Sequence, residues 1–244
     1  MTDIAYLVPG IGLPAEERDR RETIANDLVG DRASVTVLAA EDGPTTIESA
    51  VEETWSVPGT VQLADAHRDD FDAMVIGCFG DPGLRPLREL LEIPVVGPAE
   101  TTVHTAAQVA DQFGWITILE ATEPMSRHQA HEYGLGDRCV SVRSVDAPVE
   151  SIDHDATALA DRMVAEGQAA VEEDGAEALF PGCMSLAFAQ QHEAVQSELG
   201  VPFLDPAALS LEQAATWARH GVAGSARTYP APDRSKLEGL LGPE

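Results

Sequence analysis

Basic side chains are scarce in this chain of 244 residues: 15 lysines and arginines stand against 42 aspartates and glutamates, a formal net charge of −27. Lys236 is the sole lysine. A chain so poor in cations has no means to track a phosphate backbone or an anionic membrane surface, so nucleic-acid and membrane partners are excluded as expectations. Long apolar runs are missing too. No stretch approaches the roughly 20 apolar residues of a membrane span, and Met1 to Val8 lacks the basic start and apolar run of a secretion signal, so the expected location is cytoplasmic. Cysteine is limited to Cys78, Cys139 and Cys183, an odd and widely spaced set that fits neither a disulfide framework nor paired metal-ligand hooks. What is present is apolar material: 44% of the residues are hydrophobic, enough to build a substantial core. The acids are spread over nearly every expected helix instead of forming a tail. That pattern reads as a solvated, halophilic surface, where concentrated salt screens self-repulsion.

Short β-rich runs alternate with amphipathic stretches. Expected strands are Ile4 to Val8, Ser34 to Leu38, Ala73 to Gly77, Pro94 to Val96, Ile116 to Leu119, Cys139 to Val142, Ala178 to Phe180 and Pro202 to Leu204. Expected helices include Asp155 to Glu173, with Leu159, Met163 and Val164 at helical spacing, and Ala207 to Arg219. Such alternation predicts an α/β fold with parallel sheets. The halves also repeat one another. A strand runs into Gly77-Cys78 and a short strand follows around Pro94; a second strand runs into Gly182-Cys183 and another short strand follows around Pro202. The expected architecture is two similar Rossmann-like lobes related by pseudo-two-fold symmetry, with the active site between them. Residues 1–97 plus 206–244 form the first lobe, carrying Cys78, and 98–205 the second, carrying Cys183. Residues 221–244, with Pro230, Pro232 and Pro243, read as an irregular tail that packs on a lobe or on a partner subunit.

Each of these cysteines is expected at the carboxyl end of a parallel strand, where open α/β sheets bind ligands. In Gly77-Cys78-Phe79-Gly80-Asp81-Pro82-Gly83, Asp81 and Pro82 suit the N-cap and first position of a following helix. That placement would favour the thiolate and offer N–H groups to a substrate oxygen. Cys183, in Gly182-Cys183-Met184-Ser185, is expected in the equivalent place, with Ser185 as a cap. A free cysteine is most often a small buried apolar residue. Two at matching positions in matching lobes suit a cofactor-independent racemase, in which one thiolate removes a proton next to a carbonyl and the other thiol returns one to the opposite face. Cys139, lacking a glycine elbow, reads as structural.

The run Ile76-Gly77-Cys78-Phe79-Gly80-Asp81-Pro82-Gly83-Leu84, followed by Pro94-Val95-Val96-Gly97-Pro98-Ala99-Glu100, resembles the hydantoin racemase branch of the aspartate/glutamate racemase superfamily. Gly43-Pro44-Thr45-Thr46-Ile47-Glu48-Ser49, Gly182-Cys183-Met184 and Val201-Pro202-Phe203-Leu204-Asp205-Pro206 extend the resemblance over about residues 40 to 215. It implies two α/β lobes, a site between them, no cofactor, and Cys78 and Cys183 as the acid/base pair. The chain departs from the family twice. Pro9-Gly10-Ile11-Gly12 replaces an Asn-Pro-Asn loop, and Met184-Ser185-Leu186 replaces Ala-Gly-Met. Both departures touch substrate recognition, and Gly10, Phe79, Gly80, Thr122, Met184 and Ser185 are the expected substrate-binding residues.

Other features have simpler readings. Gly10-Ile11-Gly12-Leu13-Pro14-Ala15 fits a dinucleotide fingerprint, but Pro14 and the absence of a well-spaced acid favour a tight turn. His128, His131 and Glu132 suggest a metal pair without a third ligand, so a solvated helix face is expected and no metal is assigned. Thr117, Glu120, Glu100 and Thr101 are possible cleft contacts, Trp55, Trp115 and Trp217 packing residues, and Asp205 a cap for the Ala207 helix. The expected activity is racemisation at the carbon next to a carbonyl of a 5-substituted hydantoin or amino-acid derivative, by a homo-oligomer acting on a small molecule. Alternatives are a related isomerase or decarboxylase, an NAD(P)-dependent oxidoreductase using the Gly10 loop, and a non-catalytic sensor.

Overall fold

A computed structural model describes residues 1–152 and 156–241. The chain is α/β, with two parallel sheets, and divides into two units. Unit 1 comprises Met1–Ile47, Val51–Pro98 and the chain from Ser210 on; unit 2 comprises Glu48–Ala50 and Ala99–Leu209.

Unit 1 is built on β1 (Thr2–Val8), β2 (Ala33–Ala39), β3 (Ala73–Ile76) and β4 (Val95–Val96), in the order β2-β1-β3-β4 and parallel throughout. Ile4 to Leu7 and Ala73 to Ile76 are fully buried, as strands covered on both faces must be, which is why they read as unbroken apolar runs. β2 alternates instead, with Val35 and Val37 inward. Helix α1 (Ala15–Val29) turns Arg21, Ala25 and Val29 inward at four-residue spacing. Asn26 of that helix exchanges two hydrogen bonds with Val35 (2.8 and 3.0 Å), and Glu22 accepts from the Val37 N–H at 2.8 Å. Side chains thus satisfy the edge of β2 that would otherwise invite another strand. Helices α2 (Ala50–Ala66) and α3 (Leu84–Leu90) follow β2 and β3.

The tail beyond residue 220 packs on unit 1. Arg234 reaches the buried Asp65 carboxylate at 2.7 Å, and Arg85 and Arg88 both lie 5.7 Å from the Tyr229 ring centre. Pro243 lies outside the described residues.

Helix α4 (Pro98–Val109) leads into unit 2, whose sheet orders β5 (Phe113–Thr117), β6 (Cys139–Ser144) and β7 (Ala178–Pro181) as β6-β5-β7, again parallel. β5 begins and ends earlier than its expected range of Ile116 to Leu119. Gly114 hides the true start, because the sheet needs a glycine there: a Cβ would overlap the Leu179 side chain. The expected strand at Pro202 to Leu204 reduces to a single parallel bridge, Phe203 to Leu179. The remaining α-helices among the described residues are α5 (Glu123–Glu132), α6 (Ala156–Glu172), α7 (Met184–Phe188), α8 (His192–Leu199) and α9 (Pro206–His220). α6 buries Leu159 and Met163 as its spacing predicts; Asp155, the expected first residue, lies outside the described residues.

Candidate active site

In unit 1, β3 ends at Ile76 and the next residue, Gly77, donates its N–H to the Leu7 carbonyl of β1 at 2.6 Å. A side chain cannot stand at Gly77: a Cβ would come within 2.7 Å of both the Leu7 oxygen and the Tyr6 ring. In unit 2, β7 ends at Pro181 and Gly182 donates to the Ile116 carbonyl of β5, also at 2.6 Å. There a Cβ would overlap the Trp115 indole. The correspondence is residue for residue, Tyr6 with Trp115, Leu7 with Ile116, Gly77 with Gly182. Each glycine lets its strand close against an aromatic ring of the neighbouring strand, and each delivers a half-buried cysteine to the carboxyl edge of its sheet.

The chain beyond each cysteine differs from expectation. Asp81 and Pro82 do not start a helix: α3 begins at Leu84 with Gly83 as its N-cap, at φ +80°. Asp81 is left-handed (φ +52°), an uncommon state for a residue with a side chain. Its N–H closes a turn on the Cys78 carbonyl at 3.1 Å, and its buried carboxylate lies where a Cβ on Gly97 would stand. The local Asp-Pro-Gly signal for a helix start therefore loses to packing at Gly97, and Cys78 sits in a turn. Cys183 is itself the N-cap of α7, with no side-chain cap bond, so Ser185 lies inside that helix and is no cap.

The expected substrate-binding residues fall into two groups. Gly10, Phe79 and Gly80 belong to unit 1, on the loops that follow the neighbouring strands β1 and β3; Phe79 is buried. Thr122, Met184 and Ser185 belong to unit 2, beyond the neighbouring strands β5 and β7, and all three are buried. The Thr122 hydroxyl bonds Thr117 (2.7 Å) and the Leu119 carbonyl (2.8 Å), closing the end of β5. Gly10 and Gly12 press against the backbone of Pro44 and Thr45, and Ile11 donates to the Pro44 carbonyl at 3.0 Å. α1 starts only at Ala15, so these glycines serve the approach of two loops instead of a strand-to-helix turn.

The remaining candidates divide in the same way. His128 pairs with Glu132 at 3.7 Å on an exposed face, and among the described residues no His, Cys, Asp or Glu cluster suits a metal. Trp115 is buried, whereas Trp55 is 69% exposed and so is no core residue. Asp205 caps α9 as expected, accepting from the N–H groups of Ala207 (2.8 Å) and Ala208 (3.2 Å). Burial holds its carboxyl above the ordinary range, opposed by those N–H groups and by His192. Cys139 is half-buried at the start of β6; burial pushes its thiol up to about 11, with Arg127 opposing, so it stays protonated at neutral pH.

One residue escaped the sequence reading. Glu53, on the first turn of α2, brings Oε2 to 2.7 Å from where a Cβ on Gly80 would stand, beside the segment that carries Cys78. No spacing rule links Glu53 to Gly80.

Comparison with known proteins gives consistent results. Residues 19–214 match the Asp/Glu/Hydantoin racemase family. The hydantoin racemase of Pseudomonas sp. strain NS671 is 33% identical over 222 residues, covering 90% of this chain and 88% of that protein. Among solved structures, the allantoin racemase of Klebsiella pneumoniae superposes with a TM-score of 0.89 at 26% identity, covering 99% of both chains. That of Pseudomonas fluorescens gives 0.88 at 25% identity, covering 95% of this chain and 97% of that one.

Proposed function

The chain belongs to the Asp/Glu/Hydantoin racemase family and is an isomerase, and on that premise we propose that it inverts the C5 centre of 5-substituted hydantoins with Cys78 and Cys183 as its acid/base pair. The observation that carries this reading is the glycine–cysteine pair repeated at the same place in both units, each glycine bonded to the neighbouring strand at 2.6 Å. One cysteine, as thiolate, takes the C5 proton; the electron pair passes to the adjacent carbonyl oxygen as an enolate. The other thiol gives its proton to the opposite face of C5 as the carbonyl re-forms, and the two cysteines exchange protonation states. The two thiols act as acid and base and the adjacent carbonyl takes the electron pair, so this reading calls for no cofactor. The similar proteins are racemases of hydantoin and of allantoin, and allantoin is itself a hydantoin with a ureido group at C5. That supports the ring as the recognised element and leaves C5 as the variable arm.

In this reading residues 1–97 with 206–244 supply Cys78 and 98–205 supply Cys183; Gly10, Phe79, Gly80, Thr122, Met184 and Ser185 shape the substrate's surroundings. The net charge of −27 supports a salt-rich cytoplasm as the working environment, and a homo-oligomer belongs to the same reading. The test is racemisation of L- and D-5-substituted hydantoins and allantoin in D2O at high salt. Loss of optical rotation should accompany one deuterium at C5. Cys78→Ser and Cys183→Ser should each cut racemisation by about 100-fold or more. Either variant keeping the full rate overturns the two-cysteine reading.

A further inference from the structure

We propose that Glu53 is a positioning residue for Cys78, holding the Cys78–Gly83 segment from α2; the inference rests on the reading of Cys78 as an acid/base group. The segment has no helix to organise it, since α3 starts at Leu84; turn bonds such as Asp81 N–H to the Cys78 carbonyl close it internally, and its outer side is packed by other elements. One face of α2 lies along it. Glu53 Oε2 stands 2.7 Å from the Cβ position of Gly80, and one turn on, Val57 Cγ1 stands 3.4 Å from that of Gly83. The far flank is held by Asp81 at Gly97.

Unit 2 lacks this arrangement because it does not need it. α7 begins directly after Cys183, and the fourth residue of α6 is Leu159, where the fourth residue of α2 is Glu53. Leu159 lies in the apolar cluster against which Cys183 packs. Titratable groups placed against the Cys78 segment include Glu53 from α2, Asp81 within it and Tyr6 from β1 at Gly77; Arg85 and Arg88 on α3 face Tyr229. A carboxylate at Gly80, two residues from Cys78, both fixes the turn and disfavours a second negative charge on the thiol.

The experiment measures iodoacetamide alkylation of the full chain against pH, resolved by peptide mass spectrometry, in wild type, Glu53→Gln, Glu53→Ala and Glu53→Asp. Glu53→Gln and Glu53→Ala should lower the Cys78 midpoint by about half a pH unit or more, with the Cys183 midpoint unmoved and Glu53→Asp close to wild type. A Cys78 midpoint unmoved in both variants, or an equal shift at Cys183, overturns the proposal. Deuterium wash-in adds a second readout. Glu53→Ala should slow exchange about tenfold or more in a Cys183→Ser background and by less than about twofold in a Cys78→Ser background. If Cys78→Ser alone racemises at the full rate, the acid/base reading falls while the alkylation profile still decides the placement of Glu53.

Discussion

The two units solve one problem twice and agree in detail up to the cysteine. Before it they match in detail: a central strand with an aromatic ring, a neighbouring strand, a glycine that leaves no room for a side chain, and one 2.6 Å hydrogen bond. After it they part. Unit 1 makes a turn with a left-handed aspartate and carboxylates at Gly80 and Gly97; unit 2 enters a helix whose residues Met184 to Phe188 are all buried. The placement of a thiol at the sheet edge is therefore set by strand register and a close backbone approach. The segment after the thiol is free to differ, and that is where the two cysteines can acquire different properties.

The largest effect should come from removing the shared feature. Gly182→Ala forces a methyl into the Trp115 indole and Gly77→Ala forces one against the Leu7 carbonyl and the Tyr6 ring. Overpacking of this kind costs about 3 kcal/mol, so both variants should melt well below wild type, and Gly182→Ala lower because the bulky indole fills its site. A mild effect at one glycine alone would break the equivalence.

A smaller effect should separate the units at the position after the short strand, where unit 1 has Gly97 and unit 2 has Asp205. Asp205→Ala removes the α9 cap and should cost about 1 kcal/mol. Because burial raises the Asp205 carboxyl, its titration favours the folded state below the unfolded value and withdraws that support as pH rises through the folded value. The melting temperature of wild type relative to Asp205→Asn should therefore fall as pH rises from about 4. A gap independent of pH would remove the buried-carboxyl account. The smallest effect should come at the third cysteine: Cys139→Ser, which removes a thiol held protonated, should leave racemisation unchanged.

Much of this was legible from local letters. Gly77-Cys78 and Gly182-Cys183 stood out because strand, glycine and cysteine are adjacent in the chain, and Asp205 because a helix cap needs only its neighbours. The same local rule failed at Asp81, where the carboxylate is claimed by packing at Gly97, a residue brought there by the pairing of β3 with β4. Glu53 was invisible for the same reason in stronger form: its relation to Gly80 exists only once α2 lies along the sheet edge. Gly114 misled the placement of β5 because a glycine weakens a strand signal, yet the contact with Leu179 demands one.

The division of the chain has a consequence for how the protein comes into being. Unit 2 draws nearly all its residues from one continuous stretch, Ala99–Leu209, whereas unit 1 takes its opening strands from the start and waits for the chain from Ser210 on. On the ribosome, where residues emerge in order, unit 2 has its full set first. Asp65, made early and fully buried in the finished protein, meets Arg234 only after the whole of unit 2 has been made. The unit that appears first in the chain is thus the last to be completed, and Cys78 is translated long before the surroundings of its own unit are whole.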